Sequence, residues 1–99
     1  MDITFHDGVL RIALPKSISA ANSVAVEEGL FAIEGVETAK ELILDAEHLE
    51  YISSLGLRIM LKFKKQYKDI PLAVENASES VYEIFEITGF ASLLNVKKK

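Results

Sequence analysis

The chain has 99 residues, of which 49% are hydrophobic and 26% charged, with no cysteine and a net charge of −4. That length holds one domain around one core, and ordinary globular composition excludes a disordered chain. The missing cysteines exclude disulfide scaffolds, thiolate zinc sites and thiol nucleophiles, and the acidic balance argues against a nucleic-acid binder working through bulk charge.

Ile3–Phe5 and Val9–Leu14 read as strands, and His6-Asp7-Gly8 between them supplies the turn chemistry of a hairpin. Pro15 ends the pairing because it has no N–H to donate. Ser19 is placed to cap a helix running to about Ile33, with Val26, Leu30 and Ile33 as its inner stripe. Gly29 within it costs about 1 kcal/mol relative to alanine. Glu41–Asp45 carries Leu42, Ile43 and Leu44 in a row, which suits a central strand covered on both faces.

Ser53-Ser54 precede a helix from about Leu55 to Tyr67. Leu57, Leu61 and Lys64 fall on one line of it, while Leu55, Ile59, Met60 and Phe63 cannot all face the same sheet. Either a neighbouring helix covers this apolar excess or a partner protein does. Pro71–Val74 is a short strand, and Asn76–Glu79 offers caps for a helix with Val81, Ile84, Phe85 and Thr88 on one face. Gly89 suits its C′ position. Leu93–Val96 reads as a last edge strand, followed by Lys97–Lys99 as a frayed, disordered tail. The order β-β-α-β-α-β-α-β gives a single α/β domain over residues 1–99. It is a mixed sheet of four or five strands with helices mainly on one face.

No apolar run exceeds Leu30–Ile33, so neither a spanning helix nor a secretory signal is expected, and a cytoplasmic location is. Enzyme readings fare badly. Glycines at 8, 29, 35, 56 and 89 draw no P-loop and no dinucleotide fingerprint. His6 and His48 lack metal-ligand spacing with any other donor, so no metal or cofactor is expected. A hydrolase using Ser54 and His48 would lack a nucleophile elbow. Lys62, Lys64, Lys65 and Lys68 read most simply as favourable charge at a helix C-terminus.

The informative stretch is Leu42 to Phe63: a buried strand ending in the Asp45 carboxylate, a loop, then two hydroxyls at a helix start. A serine there faces the free N–H groups of the first turn. Phosphorylation would add about −1.5 to −2 charges at the positive end of the helix dipole, tolerated by the fold yet altering any surface docked there. The blander alternative is that Ser53 or Ser54 is merely the N-cap, worth about 1 kcal/mol. Asp45 likewise is either a turn-forming carboxylate or a group beside the Ser54 hydroxyl.

This stretch resembles the STAS domain, most closely the small stand-alone anti-sigma factor antagonists of bacteria. The likeness covers nearly the whole chain. It runs through the hairpin start, Ile18-Ser19-Ala20-Ala21-Asn22, Leu44-Asp45, Tyr51-Ile52-Ser53-Ser54 with Gly56-Leu57, and Thr88-Gly89-Phe90. In that family the serine before the second helix is phosphorylated by an anti-sigma factor serine kinase. The unphosphorylated form binds the kinase and frees a sigma factor, and a serine phosphatase resets the switch. By position the resemblance assigns this serine to Ser54, with Ser53 as a competing hydroxyl, and the family's acidic strand-end residue to Asp45. Many members carry acidic residues where this chain has Ser53 and Ser19. The implied partner surface takes in Asn22, Asp45, Ser53, Ser54, Leu55 and Gly56, with Ile59, Met60 and Phe63 from the exposed side of the helix. The resemblance implies a non-enzymatic regulator with ATP held by the kinase, no direct nucleic-acid contact and no membrane insertion. A homodimer through the second helix stays open, as does the alternative of a STAS subunit docked on a membrane transporter without phosphorylation.

Overall fold

The computed structural model describes residues 1–99. Asp7 and Gly8 both take left-handed backbone (φ 52° and 82°), which matches the twist of a two-residue hairpin turn. They join β1 (Ile3–His6) to β2 (Val9–Ala13) in antiparallel register, His6 opposite Val9. β4 (Glu41–Asp45) and β6 (Leu72–Ala77) extend the sheet in parallel, and β7 (Val96–Lys98) closes it, in the order β1-β2-β4-β6-β7. A second, two-residue parallel pair lies apart from this sheet: β3 (Ser17–Ile18) with β5 (Tyr51–Ile52).

Side chains alternate across the strands, so Leu10, Ile12, Leu42, Leu44, Leu72 and Val74 share one face. All are buried in the core cluster with Val26 and Leu30 of α1 (Ser23–Phe31), Leu57, Met60 and Phe63 of α2 (Ser54–Gln66), and Val81 and Phe85 of α3 (Glu79–Ile87). The helices therefore cover that face, as expected for this α/β class. Ile43 points the other way, buried but outside the core cluster, where the register sets it between Arg11 and Ala73.

Four expectations need correction. α1 begins at Ser23 rather than at Ser19, because the Asn22 side chain holds the preceding turn: its Oδ1 accepts from Ser19 N at 2.8 Å and its Nδ2 donates to Ser17 O at 2.8 Å. α1 also ends at Phe31, leaving Ile33 outside the helix but still packed against the core. Residues Phe90–Leu93 form a short helix, α4, and the last strand starts only at Val96, because Asn95 reverses the chain at φ 51°. Lys97 and Lys98 thus belong to an edge strand, and Lys99 N donates to Ala77 O at 3.0 Å, so there is no frayed tail. Lysines on that edge discourage pairing with another sheet.

The fourth correction concerns α2. Ile59, Met60 and Phe63 are buried within the core cluster, and α1 packs against α2 there. Phe63 meets Phe31 edge-on at 5.7 Å and Tyr67 at 5.2 Å between ring centroids. Lys62 of α2 bonds Glu27 of α1 at 2.6 Å beside this contact. Replacing Phe63 with alanine is expected to cost about 3–5 kcal/mol, read by chemical denaturation. A loss below about 1 kcal/mol would show that the helix pair does not depend on this ring.

Candidate functional site

The start of α2 is set by the β3–β5 pair. Ser53 N donates to Ile18 O at 2.8 Å and Glu50 N to Lys16 O at 2.7 Å, tying the loop before α2 to the segment before α1. Both helices leave from this one strap, so their N-termini lie at the same end of the molecule. Gly56 makes the arrangement possible. A Cβ there would sit 2.6 Å from Ile52 Cγ1 and 2.8 Å from Ile18 Cγ2, both on buried side chains. Gly56 is thus a packing residue, itself buried, and does not present a surface to a partner.

The two adjacent hydroxyls differ in environment. Ser53 is half-buried in extended backbone (φ −85°, ψ 172°), and its Oγ accepts from Gly56 N at 3.3 Å as the N-cap. Ser54, the first helical residue, is exposed, and its hydroxyl makes no hydrogen bond within the chain. Its chain neighbour Leu55 is 41% exposed, and Tyr51, three residues earlier, is 51% exposed.

Of the remaining expected surface, Ile59, Met60 and Phe63 are interior, and Asn22 spends its amide on the β3–α1 turn. Asp45 shares the strand face of Ile43, away from the helices, so the structure does not bring it to Ser54. Its carboxylate accepts from Arg11 Nη1 at 3.3 Å, Asn76 Nδ2 at 3.0 Å and Glu47 N at 3.0 Å, while Arg11 Nη2 also donates to Glu75 at 3.1 Å. Burial opposes ionisation of Asp45. The bonds from Asn76 and Glu47 and the Arg11 charge outweigh it and hold the carboxyl below its ordinary value. Asp45 is the turn-forming staple of the two readings. His48 lines a different cleft from Ser54, with no hydrogen bond between them.

Ser54 opens onto a cleft of 420 Å³ between α2 and the α3–α4 junction, lined also by Leu57, Arg58, Leu61, Thr88 and Phe90. Among His, Cys, Asp and Glu no group of three or more is placed to hold a metal ion. No helix is long and apolar enough to cross a membrane.

A parallel-dominated sheet with helices on one face and a free serine opening the second of them defines a class, and comparison with known proteins gives the same one. The STAS domain model matches residues 1–99, and the chain belongs to that family. Within it the chain groups with the anti-sigma factor antagonists. It is 35% identical over 92 residues, 91% of its own length and 78% of the relative's, to BtrV of Bordetella bronchiseptica, assigned as an anti-sigma factor antagonist. The crystal structure of an anti-sigma factor antagonist from Mycobacterium paratuberculosis shares the fold (TM-score 0.85, 19% identity, 98% of this chain and 83% of that one). So does a sulfate transporter family protein from Wolinella succinogenes (TM-score 0.71, 20% identity, 92% and 75%).

Gly56→Ala is expected to lower stability by about 1–2 kcal/mol, overpacking against Ile18 and Ile52 outweighing the helix-propensity gain. Unchanged or raised stability on denaturation would mean that the strap is loose. Asp45→Asn is expected to cost about 1–2 kcal/mol at neutral pH. Because folding depresses the pKa of Asp45, its contribution is complete above the ordinary value of 3.8 and is lost as pH falls through the lower folded value. Urea titrations across that range should therefore show the wild-type advantage shrinking on acidification, and an advantage independent of pH would refute the assignment.

Proposed function

We propose that the chain is an anti-sigma factor antagonist that binds an anti-sigma factor serine kinase through the Ser54 end of α2 and is released when Ser54 is phosphorylated. The observation that carries this reading is the division between neighbouring hydroxyls: Ser53 is engaged as the cap, while Ser54 is exposed and unengaged. That difference supports Ser54 over Ser53 as the acceptor. The relationship to BtrV supports the partner class.

In the proposed reaction the kinase transfers the γ-phosphoryl of its own ATP to Ser54 Oγ. ADP leaves, and the hydroxyl proton passes to a base on the kinase. A serine phosphatase reverses the state by hydrolysis. The new dianion sits at the positive end of the α2 dipole, so the fold tolerates it. In a docked complex the same dianion meets an interface shaped for a neutral hydroxyl flanked by Leu55 and Tyr51. Desolvating it without a counter-charge weakens the complex.

Incubation with the cognate kinase and ATP should add one phosphate by mass to the wild type and none to Ser54→Ala, which should still bind. Ser54→Glu should weaken kinase binding by roughly ten- to a hundredfold, or about 1.4–2.8 kcal/mol. Phosphate on Ser53, or affinity indifferent to both substitutions, would overturn the assignment. A lack of phosphate together with co-purification of a permease would favour the transporter-docked subunit instead.

A further inference from the structure

The Ser54 cleft does not end at Leu61. A second hollow of 280 Å³ continues from that residue along α2, lined by Leu61, Lys64, Lys65, Lys68 and Leu93. Ser54, Arg58, Leu61 and Lys65 fall at i, i+4, i+7 and i+11, which is one face of α2, and Lys68 lies in the turn after its end at Gln66. The opposing wall is Thr88 and Phe90, then Leu93, from the end of α3 and α4. The two hollows meet at Leu61 and together form a groove about 20 Å long, by the rise of α2 and the turn that follows it.

Its charge is one-sided. The lining holds four cations, Arg58, Lys64, Lys65 and Lys68, and no carboxylate, in a chain whose net charge is −4. None of the four is ion-paired; of the other seven cations Arg11, Lys16, Lys62, Lys98 and Lys99 are, and only Lys40 and Lys97 are not. α2 contains no acidic residue to neutralise them. Compensation of the helix dipole accounts for lysines in the last turn only; Arg58 stands one turn from the other end. The apolar floor also stays open, with Leu93 at 47% exposure.

We infer that this groove is a docking site for an acidic amphipathic helix of a protein partner. About four turns of helix fill its length, with apolar residues at i, i+3 or i+4 and i+7 seated on Leu61, Phe90 and Leu93. Flanking carboxylates meet Arg58 and the three lysines, and this complementarity speeds association and selects the partner. An elongated trough between two helix walls suits a helix better than a flat anionic bilayer. Where Ser54 is phosphorylated, a step that rests on the function proposed above, the dianion lies at one end of the groove and competes with the occupant for Arg58.

The test uses the unphosphorylated chain and no kinase, so its failure and failure of the phosphorylation reading are distinguishable. An amidated peptide of about 16 residues with leucines at helical spacing and glutamate flanks is titrated into the ¹⁵N-labelled protein. A control peptide carries the same leucines with lysine flanks. The expected result is amide shifts at Leu61, Lys65 and Leu93, and affinity roughly tenfold higher for the acidic peptide, falling with salt. Lys64→Glu/Lys65→Glu/Lys68→Glu should reverse the preference. Lys65→Gln/Lys68→Gln should abolish most of it if the reversed variant fails to fold. Equal affinity for both peptides, shifts confined to the Ile3–Phe5 edge, no shifts up to about 1 mM peptide, or binding only to anionic phospholipid vesicles would each overturn the inference.

Discussion

The molecule depends on the contact of Gly56 with Ile18 and Ile52. A parallel pair of two-residue strands has too few hydrogen bonds to persist alone. β3 and β5 persist because Ile18 and Ile52 are buried beneath the first turn of α2, at the place where a side chain on residue 56 would not fit. The approach also fixes the direction in which α2 leaves the strap. It delivers one hydroxyl to the cap and the next to the surface, a difference of a single residue.

From that anchored start, α2 separates two kinds of surface. On one side it is committed to the fold: Ile59, Met60 and Phe63 are buried, Phe63 meets Phe31 of α1, and Lys62 pairs with Glu27. Toward α3 and α4 it is uncommitted, with an open apolar groove and four cations lacking partners. Like charges along one helix repel one another, and only Lys64 and Lys65, in the last turn of α2, gain from its dipole. The contrast with Arg11 is instructive, since its guanidinium is shared between Asp45 and Glu75 on the far side of the sheet.

Much of the fold was legible from short-range signals. Asp7-Gly8 announced the hairpin through left-handed backbone, Leu42-Ile43-Leu44 a central strand, and Gly89 the end of α3 at φ 81°. The misreadings have common physical causes. Ser19 and Asn22 are both good capping residues, and the choice between them came from a hydrogen bond to Ser17 O. Ser17–Ile18 and Tyr51–Ile52 are too short to show alternation. Leu93-Leu94 and Val96 mimic a strand until Asn95 adopts positive φ.

At the site, local sequence by itself determined that a hydroxyl would stand at the head of an amphipathic helix behind a buried strand, because capping chemistry and periodicity act within a few residues. Which hydroxyl stays free, which apolar face is already covered, and that Asp45 looks away from Ser54 were decided only in three dimensions. Those outcomes turn on Ile18, Phe31, Arg11 and Asn76, dozens of positions distant along the chain, whose approach is set by packing and leaves no local trace.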